Sequence, residues 1–287
     1  MLKTFKSGSL FAALLMAANF AHAAAPETVP VGNPGNAADT TGYGAVPYAY
    51  KIGKYEVTND EYCEFLNAVA KTDDNALYDG RMSHDGDDDN YGGIVRSGDS
   101  GSYSYTVRDG MGKKPVNYVT VPSCARYANW LSNGQGKGDT ETGSYTVTGD
   151  EVKVPDHADL AKGNAPKWVI ASENEWYKAA YYDGSKQGYW AFPGKADTAP
   201  SANINTNAPN DVGSFKDAPS AYGTFDQGGN VWEFSDSQNG DKYGLRGGSF
   251  FINDNDGYMA ASTRYDVLSA KWPNYGFRVV QLGGDGK

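Results

Sequence analysis

Hydrophobic residues recur with a helical period in three places along the chain. Tyr62, Phe65, Leu66 and Val69 stand at i, i+3, i+4 and i+7, one apolar stripe. Just before them, Thr58-Asn59-Asp60-Glu61 is a capping box, in which the Thr and Glu side chains satisfy each other's free backbone N–H groups. The second stripe is Cys124, Tyr127, Ala128 and Leu131. It follows Thr120, has Pro122 in its first turn and is stopped by Asn133-Gly134. The third places Trp176, Ala179 and Ala180 inward. A second capping box, Ser172-Glu173-Asn174-Glu175, opens it and Gly184 stops it. Between these helices the pattern turns extended: Tyr48, Tyr50, Ile52, Tyr55 and Val57, a hairpin strand over 103–107, and a short strand over 168–170. Residues 72–116 are a polar excursion that includes the acidic run 85–90, and 135–167 read as mixed strand and loop. Beyond Gly184 no helical period survives, and short strands with long loops rich in Gly, Asn and Asp are expected. Such loops must satisfy their own backbone polar groups, and bound cations are one way to do so.

The first 23 residues read differently. Lys3 and Lys6 precede an apolar run over 10–20, and Ala21-His22-Ala23 fits the small-x-small cleavage rule. These are the parts of a secretory signal peptide, too short for a permanent membrane span. The expected organisation is a signal peptide over 1–23, a linker over 24–28, one domain over 29–283 and a tail over 284–287. The expected location is secreted or periplasmic. No Cys follows the apolar run, so no lipid anchor is expected.

Composition narrows the function classes. Gly and Pro make up about 17% of the chain, below the roughly 25–30% of low-complexity sequence, while aromatic residues reach 13%. A loop-rich globular domain fits this better than a helical bundle. The formal net charge is −10, and becomes −12 once Lys3 and Lys6 leave. An acidic surface repels phosphate backbones, so nucleic acid and anionic membranes are excluded as partners, whereas divalent cations are suited. Export would place the only two cysteines, Cys63 and Cys124, in an oxidising compartment, either as a disulfide or as two separately buried thiols. His84 and His157, the two histidines outside the leader, have no partner motif and read as exposed loop residues. Zinc and His/carboxylate iron chemistry are therefore not expected. The sequence has no G-x-S-x-G elbow and no phosphate-binding P-loop.

One stretch carries site chemistry: Asp226-Gln227-Gly228-Gly229-Asn230-Val231-Trp232-Glu233-Phe234. Asp226 and Glu233 are hard oxygen donors seven residues apart. Gly229 between them lets the chain turn tightly and aim carbonyl oxygens at one point, a donor set that suits calcium. A turn with a solvated Asp is the other reading. Two further segments, Leu245-Arg246-Gly247-Gly248-Ser249-Phe250 and Tyr275-Gly276-Phe277-Arg278-Val279, join it. Upstream stand Lys54-Tyr55-Glu56-Val57-Thr58-Asn59, Lys114-Pro115-Val116 with the helix after it, and Ser172-Glu173-Asn174-Glu175-Trp176. In this order the segments resemble the formylglycine-generating enzyme, or sulfatase-modifying factor, family over roughly 29–281.

The resemblance implies an α+β fold, loop-rich with short strands and about three helices, related to C-type lectins and holding structural calcium. It places one calcium site on the Asp226 and Glu233 side chains and the Gly229 and Val231 carbonyls. The family usually has Asn where Asp226 stands. A second family site begins at Asn203 and Ile204. Ser249 and Asn274 match residues lining the family's active cleft. Active aerobic members bind copper through two cysteines after the Gly-Gly-Ser motif; those places fall near Ile252 and Gly257 here. Without thiolates there is no soft copper site, and two histidines cannot form the three-His iron site of related sulfoxide synthases. No catalytic residue, copper or iron is therefore expected, and the chain reads as a pseudoenzyme. The expectation is a calcium-stabilised binding or scaffold module for a protein or glycan ligand. Phe251, Tyr258, Tyr265, Trp272 and Tyr275 would be its contact surface. An oxidoreductase acting on thiols by other chemistry and a lectin-like carbohydrate-binding protein are the alternatives.

Overall fold

The computed structural model describes residues 25–83, 91–251 and 254–284. The expected signal peptide, His84, the acidic run 85–90 and Ile252 lie outside the described residues. The three helices form where their caps and stripes place them. Helix α1 (Asn59–Val69) and helix α2 (Val121–Ser132) begin after Thr58 and Thr120, both in closed capping boxes. Helix α4 (Glu173–Tyr181) begins after Ser172, whose hydroxyl and Glu175 complete the third box. It ends at Tyr181, because Tyr182 already pairs as a strand with Tyr189. A further helix, α3 (His157–Ala161), has five residues, too few to show a periodic stripe, and Asp156 caps it. The described residues thus hold four helices rather than about three.

Two four-stranded sheets organise the rest. The first is antiparallel in the order Thr28–Val31, Tyr50–Gly53, Val279–Leu282, Lys167–Ile170. It sets a strand from near each end of the domain side by side. The second has the order Tyr265–Leu268, Lys242–Arg246, Trp232–Asn239, Tyr275–Phe277, with its last pair parallel and a bulge between Phe234 and Gln238. Tyr275–Phe277 and Val279–Leu282 are separated by Arg278 alone, so the chain steps from one sheet into the other across one residue. The expected strand over 103–107 is Ser104–Val107, paired with Ile94–Ser97.

Aromatic packing joins helices to sheets. Tyr62 and Phe65 of α1 meet Tyr127 and Trp130 of α2, and Tyr127 meets Phe277 edge-on with centroids 5.6 Å apart. Cys63 and Cys124 are both free and buried, so the two-thiol reading is the one the fold adopts. Burial pushes the Cys63 thiol up to about 11 and that of Cys124 well above its usual value. Among the described residues no helix is long and apolar enough to cross a membrane.

His157 overturns the expectation of an exposed loop residue, being buried at 8% exposure. Its Nδ1 lies 2.9 Å from Glu175 and its Nε2 2.9 Å from Asp236. Tyr145 donates to the same Asp236 oxygen at 2.6 Å, and Tyr48 donates to Glu175 at 3.0 Å. The ring thus ties α3 to the cap of α4 and to the central strand of the second sheet. Burial alone would lower the histidine's pKa, but the two carboxylates overcome it and raise it well above 6.5. Burial alone would raise Glu175, and His157 with the Ser172 contacts holds it below its ordinary value.

A histidine whose folded pKa is raised contributes fully below its unfolded value of about 6.5, and that contribution is lost as pH rises through the folded pKa. Urea unfolding should therefore give a more stable protein near pH 6 than near pH 8.5. His157→Gln should cost about 3–5 kcal/mol at the lower pH, because two buried carboxylates lose their cation, and should flatten the pH dependence. A variant that keeps the wild-type slope would show that the imidazole is not the titrating group.

Candidate functional site

Residues 226–233 curl tightly before becoming a strand. Asp226, Gly229 and Asn230 all take left-handed backbone conformations, with φ of 60°, 81° and 59°. Asp and Asn tolerate that region better than other side-chain-bearing residues. Gly229 is required: a Cβ there would stand 2.5 Å from the Asn203 carbonyl oxygen. The same Asn203 oxygen accepts from the Asn230 N–H at 2.7 Å. The Asn203-Ile204 pair therefore packs directly on the Gly229 turn. The Asn203 side chain is buried; its amide donates to Ala208 and Asn230, and its oxygen accepts from Thr206. The Ile204 side chain approaches Gly248, where an added Cβ would stand 2.9 Å from its Cδ1.

Glu233 is buried and its carboxylate faces Arg278. Arg278 Nε and Nη2 each donate to it at 2.7 Å, and Trp176 Nε1 donates at 2.8 Å. Asp226 accepts from the Gly213 N–H at 2.5 Å. Burial pushes Asp226 up to about 6, against the pull of Gly213 and Arg278 and with the push of Glu233.

Glu56 is the residue that sequence reasoning quoted in a motif without a role. It is 1% exposed, and neither carboxylate oxygen has a hydrogen-bond partner outside its own backbone. Burial raises its pKa strongly, and repulsion from Asp226 and Glu233 adds to it. Three acids thus share one buried neighbourhood with one guanidinium. Among the described residues no three His, Cys, Asp or Glu side chains are placed to close on one ion. A cation here needs the main-chain oxygens of Gly229 and Val231 as well. Hard oxygens and an orphaned carboxylate are the donor chemistry calcium takes, but both oxygens of Glu233, an expected ligand, are engaged by Arg278 and Trp176, which leaves Asp226, Glu56 and the main chain as the available donors.

The second feature is a cleft of about 350 Å³ on the other face of the same strand. All five expected contact aromatics, Phe251, Tyr258, Tyr265, Trp272 and Tyr275, line it, with Trp232 at its base. Trp232 meets Tyr258 and Tyr265 at 5.5 and 5.3 Å between ring centroids. Trp272 and Tyr265 are 53% and 44% exposed, unusual for rings of their size. A polar relay underlies the rings. Asn274 Nδ2 donates to Ser249 Oγ at 2.9 Å, and Ser249 Oγ donates to Asp254 Oδ2 at 2.6 Å. Trp232 Nε1 donates to that same oxygen at 2.9 Å. The sequence placed Ser249 and Asn274 together but missed Asp254, which sat among several acids in a loop with no period to mark it.

The model of the sulfatase-modifying factor enzyme 1-like domain matches residues 31–282. Among solved structures, CarF is 18% identical, with 90% of this chain and 98% of that one covered and a TM-score of 0.57. Treponema denticola variable protein 1 is also 18% identical, with 88% and 94% covered and a TM-score of 0.52. PvdO from Pseudomonas aeruginosa is 17% identical, with 89% and 90% covered and a TM-score of 0.49. At these identities the likeness concerns the fold. No curated protein matches the chain by sequence.

Glu233→Gln should destabilise the protein by about 3–5 kcal/mol in urea unfolding, because the fully buried Arg278 loses its counter-charge. Arg278→Lys should also cost stability, since one ammonium cannot reproduce a planar fork that serves Glu233, Gly53 and Phe225 together. Wild-type stability in either variant would show that the pair is solvent-screened.

Proposed function

The chain belongs to the sulfatase-modifying factor enzyme 1-like family, and from that footing we propose that it is an exported, non-catalytic binding module. Its fold is stabilised by a structural calcium ion, and its ligand enters the aromatic cleft. The carrying observation is the convergence of five aromatic side chains, from loops and strand starts, beside the Ser249–Asp254–Asn274 relay. Ser249 and Asn274 match positions that line the active cleft of catalytic relatives, so the cleft occupies their substrate region. The thiolates those relatives need are missing: their places fall near Ile252 and Gly257. The chain's own thiols are buried on α1 and α2 with raised pKa values, protonated and far from reacting as nucleophiles. Export rests on the leader pattern of residues 1–23 and agrees with the acidic composition.

Calcium is supported by Glu56 and Asp226. Burial raises the pKa of both, repulsion from Glu233 adds to it, and Glu56 has no side-chain hydrogen-bond partner to offset the rise. A calcium ion bound only to the folded state would stabilise it by about 2.7 kcal/mol when free calcium is a hundredfold above its dissociation constant. A chelator should lower the melting temperature, calcium should restore it, and magnesium should restore it poorly. The chelator effect should be larger near pH 8 than near pH 5, because acid protonates Glu56 and Asp226 and removes the charge that the ion offsets. Glu56→Gln separates the readings. If no ion binds, it removes a buried repelling acid and is neutral or stabilising; if calcium binds, it destabilises and blunts the chelator response. A melting curve unmoved by chelator would sink the calcium reading.

The non-catalytic reading has its own test. A cysteine peptide of the sulfatase type should remain unmodified when incubated with the purified protein, oxygen and copper. Oxygen-dependent formylglycine, seen by peptide mass, would overturn it.

A further inference from the structure

The cleft lining has a single sign of charge. Asp254 is the charged residue among the ten that line it; the others are Trp, Tyr, Phe, Leu, Val and Asn. Aromatic faces carry negative quadrupole potential, so walls and carboxylate act in the same direction. Such a space repels carboxylates and phosphates. Asp254 is also committed: its Oδ2 already accepts from Ser249 and Trp232, which keeps the carboxylate in place between the rings. A strongly hydrated primary ammonium would have to surrender its water to partners that are mostly ring faces. A methylated ammonium is weakly hydrated and needs no directed hydrogen bonds. Its methyl groups suit the cleft-facing surfaces of Trp232, Tyr258 and Tyr265, whose rings pack on one another at 5.3 to 5.9 Å and so form one continuous aromatic wall.

Building on the cleft reading above, we propose that the aromatic cleft binds ligands through a methylated or quaternary ammonium group, held against its aromatic wall with Asp254 as counter-charge. Neutral sugar rings also stack on aromatic side chains, but they gain nothing from the charge of Asp254, which distinguishes the two by experiment.

Calorimetric titration of the full exported chain, in calcium-containing buffer, with choline and with 3,3-dimethyl-1-butanol compares a quaternary ammonium with its uncharged carbon isostere. Choline should bind about tenfold tighter or more, the scale of a desolvated cation–π contact assisted by a carboxylate. Asp254→Asn keeps the hydrogen-bonding shape and should bring the two probes to within about twofold of each other. Trp272→Ala changes a side chain that is half exposed and should weaken choline binding with the melting temperature held. If the isostere binds as well as choline, or only members of an oligosaccharide panel bind, and Trp272→Ala weakens that binding, the cation inference is overturned while the cleft remains a binding site. If no probe binds wild type, the cation inference and the cleft reading both fall.

Discussion

The fold turns on the pair Arg278–Glu233. Arg278 is the single residue between a strand of each sheet, and its side chain reaches back to both. One edge of the guanidinium grips Glu233 on the second sheet; the remaining donors reach the carbonyls of Gly53 on the first sheet and Phe225 before the Gly-Gly turn. Trp176, the largest fully buried side chain, brings α4 to the same carboxylate. Arginine suits this task because its planar fork carries several donors in fixed directions and stays charged when buried. A buried ion pair is a weak source of net stability, since desolvation offsets most of the attraction. Here its value lies in position: two sheets, a helix and the site loop all address one guanidinium, so none can shift alone.

The acids of the core are managed in two ways. Glu175 and Asp236 share His157, and Tyr145 and Tyr48 add hydrogen bonds, so that cluster carries its own counter-charge. Glu233 likewise has Arg278. Among the described residues Glu56 and Asp226 have no ion pair of their own; burial raises both, repulsion from Glu233 adds to it, and the pull of Arg278 only partly offsets the rise. The contrast makes the Glu56 neighbourhood chemically distinct from an ordinary structural network. His157 and Arg278 each answer buried carboxylates directly, whereas both Glu56 oxygens lack a side-chain partner.

What was legible in the sequence was local. The three capping boxes and apolar stripes place α1, α2 and α4, since a helix start depends on residues three or four apart. Five residues of α3 hold too little pattern to register. The turn at Gly229 was legible because Gly and Asn carry backbone meaning, and the contact aromatics because composition alone marked them. His157 was misread because its partners lie 18 and 79 residues away, beyond any spacing rule. Glu56 sat in a quoted motif, yet its orphaned state arises only when Asp226 and Glu233 fold in beside it. Arg278 was one letter of a motif until the sheet topology made it the junction.

Strand alternation explains why the ion-pair centre and the cleft belong together. Along Trp232–Asn239 successive side chains point to opposite faces. Trp232 lines the cleft and holds Asp254, while Glu233 turns inward to Arg278 and Trp176. Trp232 also takes the Asn274 carbonyl through its backbone N–H, and Phe234 packs edge-on against Tyr275. Of the cleft walls, Tyr265 and Tyr275 begin paired strands, while Phe251 and Trp272 sit in loops. Their floor is fixed by the strand that carries Glu233, whose carboxylate Arg278 and Trp176 hold. Order is thus transmitted outward across a single backbone step. The cleft floor at Trp232 keeps its place because the residue next in sequence is held by Arg278 and Trp176.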